Sequence, residues 1–199
     1  MDGRDLTTDL LRYGYLAGAF PMGDESEEIV WYSVPERALF PIAGIHVSKS
    51  LQNTNRSGRL TWTFDRAFNR VIHGCHRPGD NRITPDIIRV FTEAHVEGWG
   101  HSVEVWNGEE LVGGAYGLAI GGAFFAESMF HRQTDASKVA LWALINECRS
   151  QGFEIFDAQV MNPHLESLGA FIVPKDEYGE MLERAVLKKT PWGLPVYRS

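Results

Sequence analysis

From His101 to Phe130 the chain reads HSVEVWNGEELVGGAYGLAIGGAFFAESMF, and no other stretch restricts the possible folds as tightly. Its apolar runs are strand-like, and they are interrupted at Asn107-Gly108 and Gly121-Gly122, dipeptides suited to the tight turns between antiparallel neighbours. Three consecutive antiparallel strands are expected. Such a meander needs an apolar cover, and the following ASKVALWALINECRS supplies one. Leu141, Leu144, Ile145 and Cys148 fall there at helical spacing, with Asp135 in the N-cap position and Gly152 closing the far end. FEIFDAQV then reads as a short buried strand, and NPHLESLGA as a helix entering FIVP. Antiparallel strands followed by helix, strand and helix make an α+β domain with a mostly antiparallel sheet.

Upstream, LTTDLLRYGYLAGAFPMG reads as a short helix with Thr7 or Thr8 as cap, stopped by Gly18 and Pro21. A loop-rich stretch follows WYSVPERALFP; SKSLQNTNRSG then reads as a short helix and LTWTF as a strand. DRAFNRVIHGC and TPDIIRVFTEAHVEG look helical, the second with Thr84 as N-cap and Pro85 at the first helical position. There is no internal repeat, low-complexity tract or long linker.

At 199 residues the chain has room for a substantial core, either one large domain or one domain with a smaller companion. The acidic start MDGRDLTTDLL lacks the basic-then-apolar pattern of a signal peptide, and no segment has the apolar length of a membrane span. Cys75 and Cys148 form neither a CxxC pair nor a disulfide framework. A cytoplasmic protein is expected. The net charge of −7 argues against a general nucleic-acid binder, yet the charge is uneven. Lys49, Arg56, Arg59, Arg66, Arg70, Arg77, Arg82 and Arg89 face only Asp65, Asp80 and Asp86. That stretch is either a local phosphate-binding surface or a solvated basic face.

Glu127 stands in the middle of an apolar run, where an unpaired buried carboxylate is costly, so it must be paired or used. Strict alternation along AFFAESMF sets Phe125, Glu127 and Met129 on one face, and Asp157 and Gln159, two apart in EIFDAQ, share a face of theirs. Were these strands neighbours, Glu127, Asp157 and Gln159 would converge beside an apolar pocket, a place for polar chemistry on an apolar substrate. The alternative is that Glu127 and Asp157 only pair with arginines and satisfy backbone donors. HGCHRPGD clusters His73, Cys75 and His76 without a second ligand pair at zinc-finger spacing, so no metal is assigned there. His101 and His164 stand alone, and a strand-end or helix-surface role suits each. G-x-S-x-G, Walker and post-strand GxGxxG motifs are missing, which weakens hydrolase, kinase and dinucleotide readings.

GAFPM, PERALFP, HVSKSL, FDRAFNRVIHGC, the string from His101 to Phe130, DASKVAL, FDAQ and HLESLGA, in this order, resemble the leucyl/phenylalanyl-tRNA-protein transferases. The resemblance runs from about Asp5 to about Tyr178. It implies a small, reduced N-terminal domain over residues 1–36 and an acetyltransferase-like (GNAT) catalytic domain over 37–199. It also implies a reaction: leucine or phenylalanine, with methionine as a lesser donor, moves from the 3′ end of aminoacyl-tRNA to a protein N-terminus that begins with Arg or Lys. The product becomes an N-degron substrate. No metal or nucleotide cofactor is implied, because the donor ester is already activated, and a monomer is expected.

By the same resemblance Asp157 and Gln159 form a relay at the reacting amine, Glu127 lies beside the aminoacyl site, and Phe124, Met129, Leu141 and Phe156 make the donor side-chain pocket. Phe124 and Met129 can share a pocket only if a bulge breaks the alternation. Met22 and Arg82 occupy positions where relatives carry tryptophans that hold the terminal adenosine; a guanidinium plane can also stack on a base. Ala115 stands where a larger apolar residue is common, and Ala126 replaces a glycine. Two other readings compete. A CoA-dependent N-acyltransferase would need a glycine-rich pyrophosphate loop, whereas RQTDAS places Asp135 at the helix start. A non-catalytic binder of tRNA or protein N-termini is disfavoured by the presence of Glu127, Asp157 and Gln159 and mildly favoured by Arg82 and the short N-terminus.

Overall fold

The Thr7 hydroxyl accepts the Leu10 N–H at 3.2 Å and so opens α1 (Thr8–Leu16), whose Leu11 and Tyr15 turn inward. The computed structural model describes residues 6–76, 79 and 82–196. After α1 come the two short strands β1 (Phe20–Gly23) and β2 (Ile29–Tyr32), which pair only with each other, antiparallel. The chain then runs through β3 (Glu36–Phe40), α2 (Lys49–Ser57), β4 (Thr61–Phe64), α3 (Phe68–Cys75) and α4 (Pro85–Val96). The expected meander is β5 (Gly100–Asn107), β6 (Glu110–Ile120) and β7 (Ala123–His131). It is followed by α5 (Ala136–Ser150), β8 (Ile155–Gln159), α6 (Pro163–Ser167), β9 (Phe171–Pro174) and α7 (Lys175–Ala185).

The main sheet has the order β4-β5-β6-β7-β8-β3-β9. Every neighbouring pair is antiparallel except β7 and β8, which the α5 crossover makes parallel. This is a mixed α+β fold with a mostly antiparallel sheet. The sheet is covered on both sides. Tyr116, Leu118, Ile120 and Phe125 pack toward Val71, Ile72 and Phe91 of α3 and α4 and toward Leu11 and Tyr15 of α1. Val103, Val105, Ala119 and Phe124 pack toward Ala140, Leu144 and Cys148 of α5.

Several details differ from the sequence reading. The β5–β6 turn is Gly108-Glu109, one residue later than Asn107-Gly108: Asn107 still pairs with Glu110, and Gly108 takes the left-handed φ of 62°. Asp135 does sit at the N-cap position of α5, but its side chain makes no cap; it accepts from Lys138 Nζ at 2.9 Å and Thr54 Oγ1 at 3.3 Å. The short strands β1, β2, β3 and β9 have four or five residues each, too few for a period-two pattern to stand out. Among the described residues no helix is long and apolar enough to cross a membrane.

Candidate active site

Pairing between β6 and β7 slips in mid-strand: Tyr116 lies opposite Ser128 and Gly117 opposite Ala126, so Glu127 is the extra residue of a β-bulge. Gly117 makes this close approach possible, because a Cβ there would lie 2.2 Å from the Phe125 carbonyl oxygen. The bulge overturns the strict alternation expected for AFFAESMF. Phe125 faces α1, its ring edge-on to Tyr15 at 4.9 Å, whereas Met129 crosses to the other side of the sheet with Phe124.

Glu127 Oε1 accepts two hydrogen bonds, from the Tyr15 hydroxyl at 2.5 Å and from Gln159 Nε2 at 2.8 Å. Its Oε2 has no hydrogen-bond partner among the described residues. Burial pushes the Glu127 carboxyl up to about 7; the bonds from Tyr15 and Gln159 oppose the rise, the Asp157 charge adds to it and the Arg37 charge subtracts. The side chain is nonetheless only half-buried, because it borders a cavity.

Asp157 has a different environment. Arg37 Nε reaches both of its oxygens, at 3.0 and 2.9 Å, Arg37 Nη2 lies 2.9 Å from Oδ2, and the Tyr178 hydroxyl donates to Oδ2 at 2.6 Å. Both charged side chains are buried, at 2% and 0% exposure. The Arg37 guanidinium also lies over the rings of Phe20 and Tyr178, at 4.8 and 5.0 Å. Asp157 Oδ1 accepts the Gln159 N–H at 2.7 Å, which holds Gln159 at a left-handed φ of 64°. That conformation costs a non-glycine residue about 1 kcal/mol or more and is typical of functional positions. Here it turns the Gln159 amide toward Glu127. Asp157 thus pairs with an arginine, while Glu127 pairs with a tyrosine and a glutamine.

A cavity of about 550 Å³ opens beside this cluster. Glu127, Gln159, Met22, Arg82, Met129 and Leu141 all lie on its wall. Phe124 and Phe156 do not; wholly buried and stacked 5.2 Å apart, they pack in the core away from the lining. Ala115 and Ala126, the two small replacements, both border the space. The exposed Arg82 is tied to β1 through its carbonyl, which accepts the Gly23 N–H at 3.0 Å. Sequence reasoning missed Tyr15, Arg37 and Tyr178. Arg37 carried the signal that singled out Glu127, a charge heading the apolar run RALF; the two tyrosines had none beyond their place on buried helix faces.

The other candidates lie elsewhere. His73 is exposed, with Nδ1 2.7 Å from the Asn69 carbonyl, while Cys75 is buried against the cavity. Among the described residues no group of three His, Cys, Asp or Glu side chains could hold a metal. The basic stretch is divided. Lys49, Arg56 and Arg59 are exposed on or just after α2, and Arg89 bonds Glu93 and the Leu6 carbonyl. Arg66 and Arg70 border a larger open cleft of about 750 Å³ beside Trp106, which shares no lining residue with the cavity at Glu127; Arg77 and Asp80 lie outside the described residues.

Residues 39–183 match the profile of the family described as leucyl/phenylalanyl-tRNA protein transferase, and residues 4–35 match that family's N-terminal domain. The leucyl/phenylalanyl-tRNA-protein transferase of Gluconobacter oxydans (strain 621H) is 44% identical over 194 residues, covering 94% of this chain and 86% of its own. That of Chlorobaculum parvum is 46% identical over 186 residues, covering 91% and 95%. That of Salinibacter ruber is 43% identical over 189 residues, covering 94% and 84%. Among solved structures, a lysylphosphatidylglycerol synthetase C-terminal domain from Agrobacterium fabrum overlays 94% of this chain and 60% of its own at 14% identity. Its TM-score of 0.37 is too low to carry the fold.

Proposed function

The chain belongs to the leucyl/phenylalanyl-tRNA-protein transferase family, and from that premise we propose that it moves an aminoacyl group from charged tRNA to the N-terminal amine of a protein. The observation that carries the reading is the cavity itself: apolar Met129 and Leu141 stand on the same wall as the hydrogen-bonded Glu127 and Gln159. Apolar surface receives a leucyl or phenylalanyl side chain, and the polar pair meets the amine. Met22 and Arg82 are the contacts for the terminal adenosine, Arg82 by stacking its guanidinium on the base. Phe124 and Phe156 do not line the donor pocket; Phe156 lies edge-on at 6.2 Å to Phe40, which does, and Phe124 stacks on Phe156.

The donor ester is already activated, so the enzyme's task is to hold ester and amine together and manage one proton. An N-terminal amine has a pKa of about 7.7 to 8.0, so releasing it as the nucleophile near neutrality is easy. Acceptors beginning with Arg or Lys are favoured by the negative charge of Glu127, and the product enters N-degron proteolysis in the cytoplasm, where charged tRNA is available. A parallel pair in a mostly antiparallel sheet suits an acetyltransferase-like catalytic unit from residue 37 onward. The small β1–β2 sheet with α1 belongs to an N-terminal unit that ends by residue 36, and the working form is a monomer.

The test is transfer of radiolabelled leucine or phenylalanine from charged tRNA to a protein with N-terminal arginine, with free amino acid as control. Transfer that requires charged tRNA is the expected result. No transfer from leucyl-, phenylalanyl- or methionyl-tRNA would overturn the reading.

A further inference from the structure

We propose that Glu127, through Oε2, takes the proton from the attacking amine and delivers it to the departing ribose oxygen, while Asp157 only positions Gln159; this rests on the transfer reaction proposed above. Asp157 accepts from Arg37, from the Tyr178 hydroxyl and from the Gln159 N–H, and it is absent from the cavity wall. With no exposed surface and every donor around it engaged, Asp157 has no access to a substrate in the cavity. Gln159 is a carboxamide, not a base, and its Nε2 is already donating to Glu127. Glu127 is the one carboxylate among the described residues of the wall, and its Oε2 is left over after Oε1 receives Tyr15 and Gln159.

The ionisable groups around Glu127 agree with this role. Tyr15 on α1 and Tyr116 on β6 are both held well above their ordinary values by burial, so neither takes the proton. Asp157 on β8 and Arg37 on β3 oppose one another behind Gln159, and Cys75 on α3 and Arg82 border the same cavity. A Glu127 carboxyl near 7 lies close to the acceptor amine, so proton transfer is balanced in both directions.

In the step, the neutral amine nitrogen bonds to the ester carbonyl carbon and the carbon–oxygen bond to the terminal ribose breaks. Glu127 Oε2 accepts the proton that the nitrogen loses, and the ribose oxygen receives it as a hydroxyl. The products are an amide and uncharged tRNA, with Glu127 again ionised. Tyr15 is a positioning residue: its hydroxyl occupies Oε1 of a side chain that lines the cavity, and Oε2 keeps no partner among the described residues.

The experiment is kcat/KM for an N-terminal arginine acceptor, at saturating charged tRNA, from about pH 5.5 to 8.5, for wild type, Glu127→Gln and Tyr15→Phe. Wild type is expected to lose activity toward acid through two ionisations, Glu127 and the acceptor amine. Glu127→Gln keeps its fold by melting and its affinity for charged tRNA, loses on the order of 100-fold or more in kcat/KM, and retains only the amine ionisation. Tyr15→Phe removes a bond that favours the carboxylate, so the Glu127 limb moves to higher pH. A Glu127→Gln protein within threefold of an active wild type, with the same two-ionisation limb, would overturn the assignment and leave the transferase reading intact. A wild type that transfers from none of the charged tRNAs would overturn the transferase reading itself, and this inference with it.

Discussion

Glu127 and Asp157 come from adjacent parallel strands, yet their surroundings give them opposite uses. Asp157 meets a cation, a hydroxyl and a backbone donor with no exposed surface, so it serves structure. Removing it strands the Arg37 charge, and Asp157→Ala is expected to cost about 3 to 5 kcal/mol in urea unfolding, well above a surface substitution. Glu127 meets no cation directly among the described residues. Its folded carboxyl lies near 7 against an unfolded value of 4.5, so the folded chain holds the proton more tightly. That contribution is complete below the unfolded value and is lost as pH rises through the folded one. Stability should therefore fall between pH 4.5 and 7 by up to about 3 kcal/mol from this group. The Glu127→Gln protein should lack this slope, match wild type at the acid end and exceed it at pH 8. Urea midpoints at the two ends measure both effects, and a site residue whose removal stabilises the fold is one kept for activity.

Elements, for their part, are shaped by close approaches that a side chain would block. The bulge in β7 re-aims Glu127 and lets Phe124 and Met129 share a side, and Gly117 on β6 leaves the space for it. In α1, Gly14 weakens the helix by about 1 kcal/mol relative to alanine, yet a Cβ there would fall 1.9 Å from the Trp31 ring on β2. Overpacking of this kind costs about 1 to 3 kcal/mol, more than the helix gains, so Gly14→Ala is expected to destabilise. A lowered melting temperature with altered tryptophan fluorescence would show the displaced ring. Because Tyr15 is the next residue, the same variant should also weaken transfer.

Taken as a whole, the molecule ties early and late segments of its chain to its centre. Tyr15 and Arg37 from the first part of the chain and Tyr178 from α7 surround side chains of β7 and β8, so the site exists only in the complete fold. At the other end, Leu194 forms a parallel bridge to Ile120, the Thr190 hydroxyl donates to the Gly121 carbonyl at 2.6 Å, and Trp192 stacks on His101 at 4.4 Å. Trp192 also meets Phe64 at 5.4 Å, so it braces β4 and β5 together. Trp192→Ala is expected to cost about 3 kcal/mol, read as a fall of roughly 6 to 12 °C in melting temperature for a chain of this size.

The β5–β7 meander, the α5 cover, the N-cap at Thr84 and that of α1, narrowed to Thr7 or Thr8, were legible in the order of residues, because each depends on neighbours a few positions apart. Tertiary structure decided the rest. Strict alternation sent Met129 to the wrong face because a bulge depends on what the partner strand tolerates, here Gly117, and not on the bulged residues alone. Likewise, no local pattern reports that Arg37 and Tyr178 claim Asp157 while Tyr15 and Gln159 leave half of Glu127 to the cavity. The charge state and role of a carboxylate follow from its burial and its partners, and those partners arrive from distant parts of the chain only when the sheet closes around them.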